Sequence, residues 1–405
     1  MEFLDAIRGL AALAVAFHHS AEGLWRGYFG WTSEHFRPGE FGVLTFFLCS
    51  GFIIPASLEK HGSLRKFWIS RFFRLYPLYW TCLLVLAVLM YMVPVYPVGD
   101  WLNAKAWILD ATMIQGSLGQ TIYIIGASWT LTFEMCFYLL CSLLLLAGVH
   151  RKSSQFAFLF FCAAAGTLPL PGHALQLGDK RLLVLALFVT VGLAGVALMF
   201  SAKDLRTRIT VIGLSVLLAL ILINRYEGWH LALLWLGTMF TGTAIYRWYR
   251  GEISTRLIVG TTLFACFGYG AACYVNDVNA CKPVMVTYCA AIAFFYLALA
   301  LRGFTFPRPL VYLGTISYSV YLVHPIIIHT VPRLDSPALT LLFWLGLVVA
   351  FASVTYYGVE KPFQNLGRRF IDHKSARGLA TAQSSGNNDH VVPAKENNVK
   401  MYGAP

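Results

Sequence analysis

The sequence predicts an all-α integral membrane protein: a single polytopic bundle of about 10–12 transmembrane helices with both termini in the cytoplasm. Three observations lead there. Of 405 residues, 58% are hydrophobic and 12% charged, against about 25% charged in an ordinary soluble domain. The apolar residues fall in runs close to the length of about 20 that spans a bilayer. With the N-terminus inside, 23 of the 31 lysines and arginines lie in inner segments and 8 in outer ones, the asymmetry of the positive-inside rule. The net charge of +12 is then topology, and no nucleic-acid partner is implied.

Taken in order, the runs lie at 4–20, 41–58, 75–94, 121–148, 155–170, 182–200, 208–224, 230–246, 257–275, 284–301, 310–330 and 337–357. The run at 155–170 is short, and that at 121–148 is long and interrupted by Gly126 and Ser128; hence the range in the count. The first run carries Asp5, Arg8, His18 and His19 and lacks a small-residue cleavage site, so it reads as a retained span and not a signal peptide. Residues 1–371 form the membrane domain. From 372 to 405 the chain turns polar ("QSSGNNDHVVPAKENN") and reads as a disordered cytoplasmic tail. The nine cysteines show no CxxC and read as small buried apolar residues, Cys273 and Cys281 being the pair near the outer face that could join. No GxGxxG, P-loop, HExxH or internal repeat occurs, and no metal site is expected.

Ionisable side chains inside a bilayer are costly and face the bundle interior, where they mark function. Arg8 and His19 are eleven residues apart, about 20° apart around a helix and about 16 Å along it. An intramembrane histidine often does no more than bond a neighbouring helix; sharing a face with an arginine favours a functional role. Glu134, in "GASWTLTFEMCFYLL", needs an interior partner, structural or catalytic. His324, in "LGTISYSVYLVHPIII", shares a face with Ser317 and Tyr321, and Pro325 after it is placed to kink the helix. By depth, His19, Glu134 and His324 form a polar middle layer, with Arg71 and Arg74 at the cytoplasmic edge. That i, i+3 arginine pair suits a polyphosphate and equally suits a topology anchor or an anionic-lipid contact.

Six stretches, "LDAIRGLAALAVAFHH", "FFLCSGFIIP", "SRFFRLYPLYW", "SWTLTFEMCFYL", "LGTISYSVYLVHP" and "VEKPF", resemble in order the motifs of the acyltransferase-3 family. These are integral membrane enzymes that O-acylate cell-surface glycans, lipids and small natural products. By this resemblance the family's first-span Arg and His fall on Arg8 and His19, and its Arg-x-x-Arg on Arg71 and Arg74. Its Trp and Glu fall on Trp129 and Glu134, with Thr130 where Ser is commoner. Its late Ser-Tyr-Ser and His fall on Ser317, Tyr318, Ser319 and His324. Glu360 matches the acidic residue that closes the domain. Some members carry a fused extracytoplasmic hydrolase-like domain. None is seen here, so transfer is expected to finish in the membrane domain or to pass to a separate extracytoplasmic protein.

The resemblance implies acyl transfer from cytoplasmic acyl-CoA, with acetyl-CoA the commoner donor, to a hydroxyl of a glycan, lipid-linked sugar or small natural product at a bacterial cytoplasmic membrane. His19 is the expected general base, oriented by Glu134 or His324. Arg8 is expected at the oxyanion or on the donor, and Arg71 and Arg74 on the CoA phosphates. A secondary transporter or flippase shares the midplane charges and the cationic mouth, but no paired Gly/Pro-interrupted segments occur in corresponding halves. A scaffold that senses acyl-CoA is the third reading. A fluorescent protein that folds only in the cytoplasm, fused after residue 371, is expected to fluoresce; a dark, full-length fusion would reverse the topology.

Overall fold

The structure is a computed structural model that describes residues 1–92, 104–118, 123–167, 229–276 and 278–372, with scattered positions between 205 and 217. Among the described residues it is all-helical, with no strand. In chain order the helices are α1 (Glu2–Leu24), α2 (Tyr28–Glu34), α3 (Pro38–His61), α4 (Leu64–Met92), α5 (Ala104–Asp110), α6 (Trp129–Leu146) and α7 (Ser153–Thr167). After these come α8 (Trp229–Tyr249), α9 (Thr255–Asn276), α10 (Val278–Ala300), α11 (Arg308–Thr315), α12 (Ser317–Thr330) and α13 (Pro337–Thr355). Six of the described helices are long and apolar enough to cross a membrane, and seven if α11 and α12 count as one bent span. The runs predicted at 182–200 and over most of 208–224 lie outside the described residues, as does the tail from 373.

Helix α1 sits at the centre, packed on α3, α11, α12 and α13. Lipid tails are as apolar as leucine, so close backbone contact replaces the hydrophobic effect as the glue between membrane helices. The chain supplies it with glycine. A Cβ on Gly314 would overlap the Asp5 carbonyl, and one on Gly9 would press on Leu313 and Gly314. Gly42 lies against the Ala11 carbonyl and Val15, bringing α3 hard against α1. The crossing of α3 and α8 is reciprocal: Gly51 meets the Met239 carbonyl, Gly242 meets the Leu48 carbonyl, and Thr243 Oγ1 donates to the Gly51 carbonyl at 2.9 Å.

Two departures from regular helix shape the interior. The kink expected at Pro325 falls earlier: α12 runs through Pro325, and the break from α11, 72°, lies at Ile316. There Ser317 Oγ donates to the Gly314 carbonyl at 2.8 Å. Second, α13 continues to Asp372 through a π-helical turn at Tyr356–Glu360. Such turns re-aim side chains, and this one points Glu360 inward.

Where α3 and α8 end, Arg247, almost wholly buried, pairs with Glu59 and with Glu252 at 3.0 Å. All nine cysteines are free thiols, Cys273 and Cys281 included.

The glycine crossing makes a sharp expectation. Gly51→Ala should lower the detergent-solubilised melting temperature, because overpacking costs about 1–3 kcal/mol. Gly346→Ala, on α13 with open space around it, should leave the melting temperature level or raise it, since alanine gains about 0.5–1 kcal/mol over glycine in a helix.

Candidate active site

Two chambers lie towards opposite ends of the bundle. Because α1 and α3 run antiparallel, the early turns of α1 lie level with the middle of α3, as Phe3 with Phe52, and the late turns of α1 with the start of α3, as His18 with Gly39. One chamber, of about 730 Å³, gathers Arg8 from early α1, Cys49 and Ser50 from the middle of α3, Arg71 and Arg74 from early α4, and Glu134 and Tyr138 from α6. The other, of about 1090 Å³, holds His18 and His19 from late α1, Arg37 and Glu40 from the start of α3, Trp129, Trp235 and Tyr269.

The first chamber gathers the arginines. Arg71, only 8% exposed, donates from Nη2 to Ser57 Oγ at 2.7 Å and lies over the rings of Phe67 and Tyr138, 5.5 and 5.9 Å from their centres. Arg8 has Asp5 at 3.9 Å. Among the described residues, no carboxylate comes within the 4.0 Å of an ion pair with Arg71 or Arg74. Glu134 is the one carboxylate on the chamber wall; its Oε1 accepts from Ser50 Oγ at 3.1 Å and from the Tyr138 hydroxyl. Behind the wall, Glu360 accepts from Ser319 Oγ at 2.8 Å and from Gln364 Nε2 at 2.9 Å, and it attracts Arg74 and Arg8. On the chamber wall itself three guanidiniums face one carboxylate, with Asp5 beside Arg8 and Glu360 behind the wall as the nearby negative charges.

The second chamber holds His19 of a histidine pair. His324 is fully buried, and its Nδ1 lies 3.2 Å from the Val320 carbonyl. A carbonyl only accepts, so Nδ1 carries the proton and Nε2 of the neutral ring keeps its lone pair. That Nε2 is 2.9 Å from His19 Nδ1, with the two rings nearly parallel at 11°. His19 therefore donates from Nδ1, and its lone pair resides on Nε2. The direction of every proton in the pair follows from one backbone carbonyl. His18 points elsewhere, its Nδ1 3.2 Å from the Tyr28 hydroxyl. In the same chamber Arg37 pairs with Glu40 at 3.5 Å, and the Tyr269 hydroxyl donates to Glu40 at 3.2 Å.

Of the two groups expected to orient His19, His324 touches it, while Glu134 lies in the arginine chamber on Ser50 and Tyr138. Arg8 stands with Arg71 and Arg74, away from His19. Glu360, a motif match with no role attached, backs the arginines. Ser50, Tyr138, Arg37 and Glu40 were not singled out from the sequence; Ser50 and Tyr138 stood inside quoted motifs, but Arg37 and Glu40 carried no local signal. Tyr321, noted for sharing a face with His324, turns out to line both chambers. Among the described residues no group of three His, Cys, Asp or Glu side chains is placed to hold a metal ion.

Comparison with known proteins bears on what this arrangement does. A family model described as an acyltransferase domain matches residues 1–358. Acyltransferase MdmB of Streptomyces mycarofaciens is similar at 31% identity over 152 residues, 34% of this chain and 37% of that protein. ORF330 of Acidianus two-tailed virus, named as a candidate acetyltransferase, is similar at 30% over 158 residues, 38% of this chain and 42% of its own length. The matched region thus spans less than half the length of each of these relatives. No solved structure matches the chain.

Proposed function

The chain belongs to the acyltransferase-3 family, and on that premise we propose that it transfers an acyl group, acetyl first among them, from acyl-CoA to a hydroxyl on a glycan, lipid-linked sugar or small natural product. The observation that carries this reading is the placement of three arginines facing one carboxylate at one end of α1 and the Nε2 lone pair of His19 towards the other. A CoA thioester has the same layout: phosphates at one end, and the reactive carbonyl at the end of an extended arm.

Arg8, Arg71 and Arg74 hold the phosphates, with guanidinium forks matched to phosphate oxygens. Ser57, Phe67 and Tyr138 keep Arg71 in position for this. His19 Nε2 takes the proton of the acceptor hydroxyl as its oxygen attacks the thioester carbonyl, and gives that proton to the departing thiolate, so the enzyme returns to its starting state. While His19 is charged, its Nδ1–H stays bonded to His324 Nε2, which Val320 holds in the accepting tautomer. By the positive-inside reading the arginine chamber faces the cytoplasm, where acyl-CoA is made. The histidine chamber then opens towards the opposite face of a bacterial cytoplasmic membrane, where the acceptor enters directly or from a separate extracytoplasmic protein.

CoA should raise the melting temperature of the purified wild type, as a ligand in hundredfold excess over Kd stabilises by about 2.7 kcal/mol. The Arg71→Ala/Arg74→Ala double variant should lose that stabilisation. An intact wild type that CoA does not stabilise would return the chain to the transporter reading.

His19→Ala and His324→Phe should keep the CoA stabilisation. Their acyl transfer, followed as thiol release, should drop by about 10²–10⁴-fold, the usual contribution of a general base. Transfer at the wild-type rate by folded, CoA-binding His19→Ala protein would remove His19 from the chemistry.

A further inference from the structure

Resting on the donor reading above, we infer that Val43 and Tyr321 form a rigid neck between the two chambers, which selects acyl groups by cross-section: linear chains pass and branched ones do not. These two residues are common to both linings. If the phosphates sit at Arg8, Arg71 and Arg74 and the carbonyl must reach His19, the arm has to cross between them.

Both sides of the neck are fixed. On α3, Val43 follows Gly42, whose backbone lies against the Ala11 carbonyl and Val15; Gly39, one turn earlier, sits against the His18 ring. Glycine at these positions lets α3 approach α1 so closely that Val43 cannot move back. Opposite, the Tyr321 hydroxyl donates to the Ala127 carbonyl at 2.8 Å and meets Thr130 Oγ1 at 2.8 Å. Its ring stands edge-on to Phe46 and to His324, each with centres 5.7 Å away. Val43 and Tyr321 are 7% and 6% exposed, so each is clamped by packing and not free to swing as a lid.

A passage walled by a branched aliphatic and an anchored aromatic side chain limits width and not length. A straight acyl chain has the same cross-section as the arm that carries it and follows it through. A branch next to the carbonyl is wider at the point that must pass. The paired methyl groups of the pantoate unit are wider too, and they stay on the arginine side. Close packing transmits the difference because the walls have no slack to yield. Tyr321 and Val43 are thus specificity-determining residues, neither taking part in proton transfer.

Binding tests this without an acceptor and without turnover, using CoA, S-butyl-CoA and S-isobutyl-CoA, thioethers that match in carbon count and are not cleaved. The wild type should bind the linear analogue about tenfold or more tighter than the branched one, the scale set by a misfitting methyl group in a tight apolar site. Val43→Ala should close that gap chiefly by improving the branched analogue, and Val43→Ile should widen it. Tyr321→Phe, which keeps the ring and loses its hydroxyl anchors, should narrow it in part, and it provides a second reading if Val43→Ala fails to fold. Equal affinities for the two analogues in a wild type that binds CoA would overturn the neck and leave the donor assignment standing. So would an unchanged gap in folded Val43→Ala. A wild type that binds none of the three would overturn the donor assignment and the neck together.

Discussion

A guanidinium inside a bilayer bundle is tolerated only where the protein supplies what water would have supplied, and much of this architecture follows from meeting that demand for Arg8, Arg71 and Arg74. Arg71 is held by Ser57 at one Nη and by the faces of Phe67 and Tyr138, which ties α4 to α3 and α6, while its Nε stays buried without a hydrogen-bond partner among the described residues. Glu134 is held off by Ser50 and Tyr138 and does not neutralise the group by a direct ion pair. Glu360 reaches its place behind the arginines by way of a π-helical turn in α13. Glu134, Asp5 and Glu360 thus hold three cations together through charge and polar contact, with no direct ion pair to Arg71 or Arg74 among the described residues. Removing one partner from a buried charge costs about 3–5 kcal/mol where a well-packed apolar substitute often costs nothing, so a cluster kept this way points to binding and not to stability.

Helix α1 joins the two halves of the proposed reaction. Its early turns carry Arg8 and its late turns His19, and glycines bring α3 and α11 against its backbone. The same close approach that replaces hydrophobic association in lipid also sets the register between chambers. An error of one residue along α1 would rotate Arg8 and His19 by about 100° and take both out of their chambers. Helix packing and site geometry are therefore one constraint in this region, with little room to alter either alone. The histidine pair extends the same logic: α1 and α12 must meet closely enough for a 2.9 Å contact, and the Val320 carbonyl then decides which nitrogen holds the proton.

Much of this was legible from residues alone, and the failures are instructive. The shared face of Arg8 and His19 follows from helical periodicity, and the chambers divide along that face. Glu134 and His324 were placed in one middle layer by counting rise per residue; counting gives depth and not azimuth, so it could not tell that Glu134 faces the arginines while His324 faces His19. Pro325 is a reasonable place to expect a bend, yet the break lies at Ile316, where Gly314 is pressed on the Asp5 carbonyl and Ser317 caps the turn. Tertiary contact overrode the local signal. The π-helical turn at Tyr356–Glu360 has no distinct sequence mark, and without it Glu360 had a motif but no position.

What the sequence determined by itself is the solvent and the class: its apolar runs and scarce charge dictate a helical membrane bundle, because lipid leaves a backbone few other ways to satisfy its hydrogen bonds. It also determined which side chains are too costly to be there without reason. Tertiary structure decided how those side chains are shared out: Arg8, Arg71, Arg74 and Glu134 into one chamber, His19 into another with His324 behind it, and Tyr321 between. The physical reason is that partnership among these groups depends on the rotation of each helix about its axis and on which helices touch. Both are set by contacts between residues hundreds of positions apart, such as the Asp5 backbone with Gly314 and the His19 ring with that of His324.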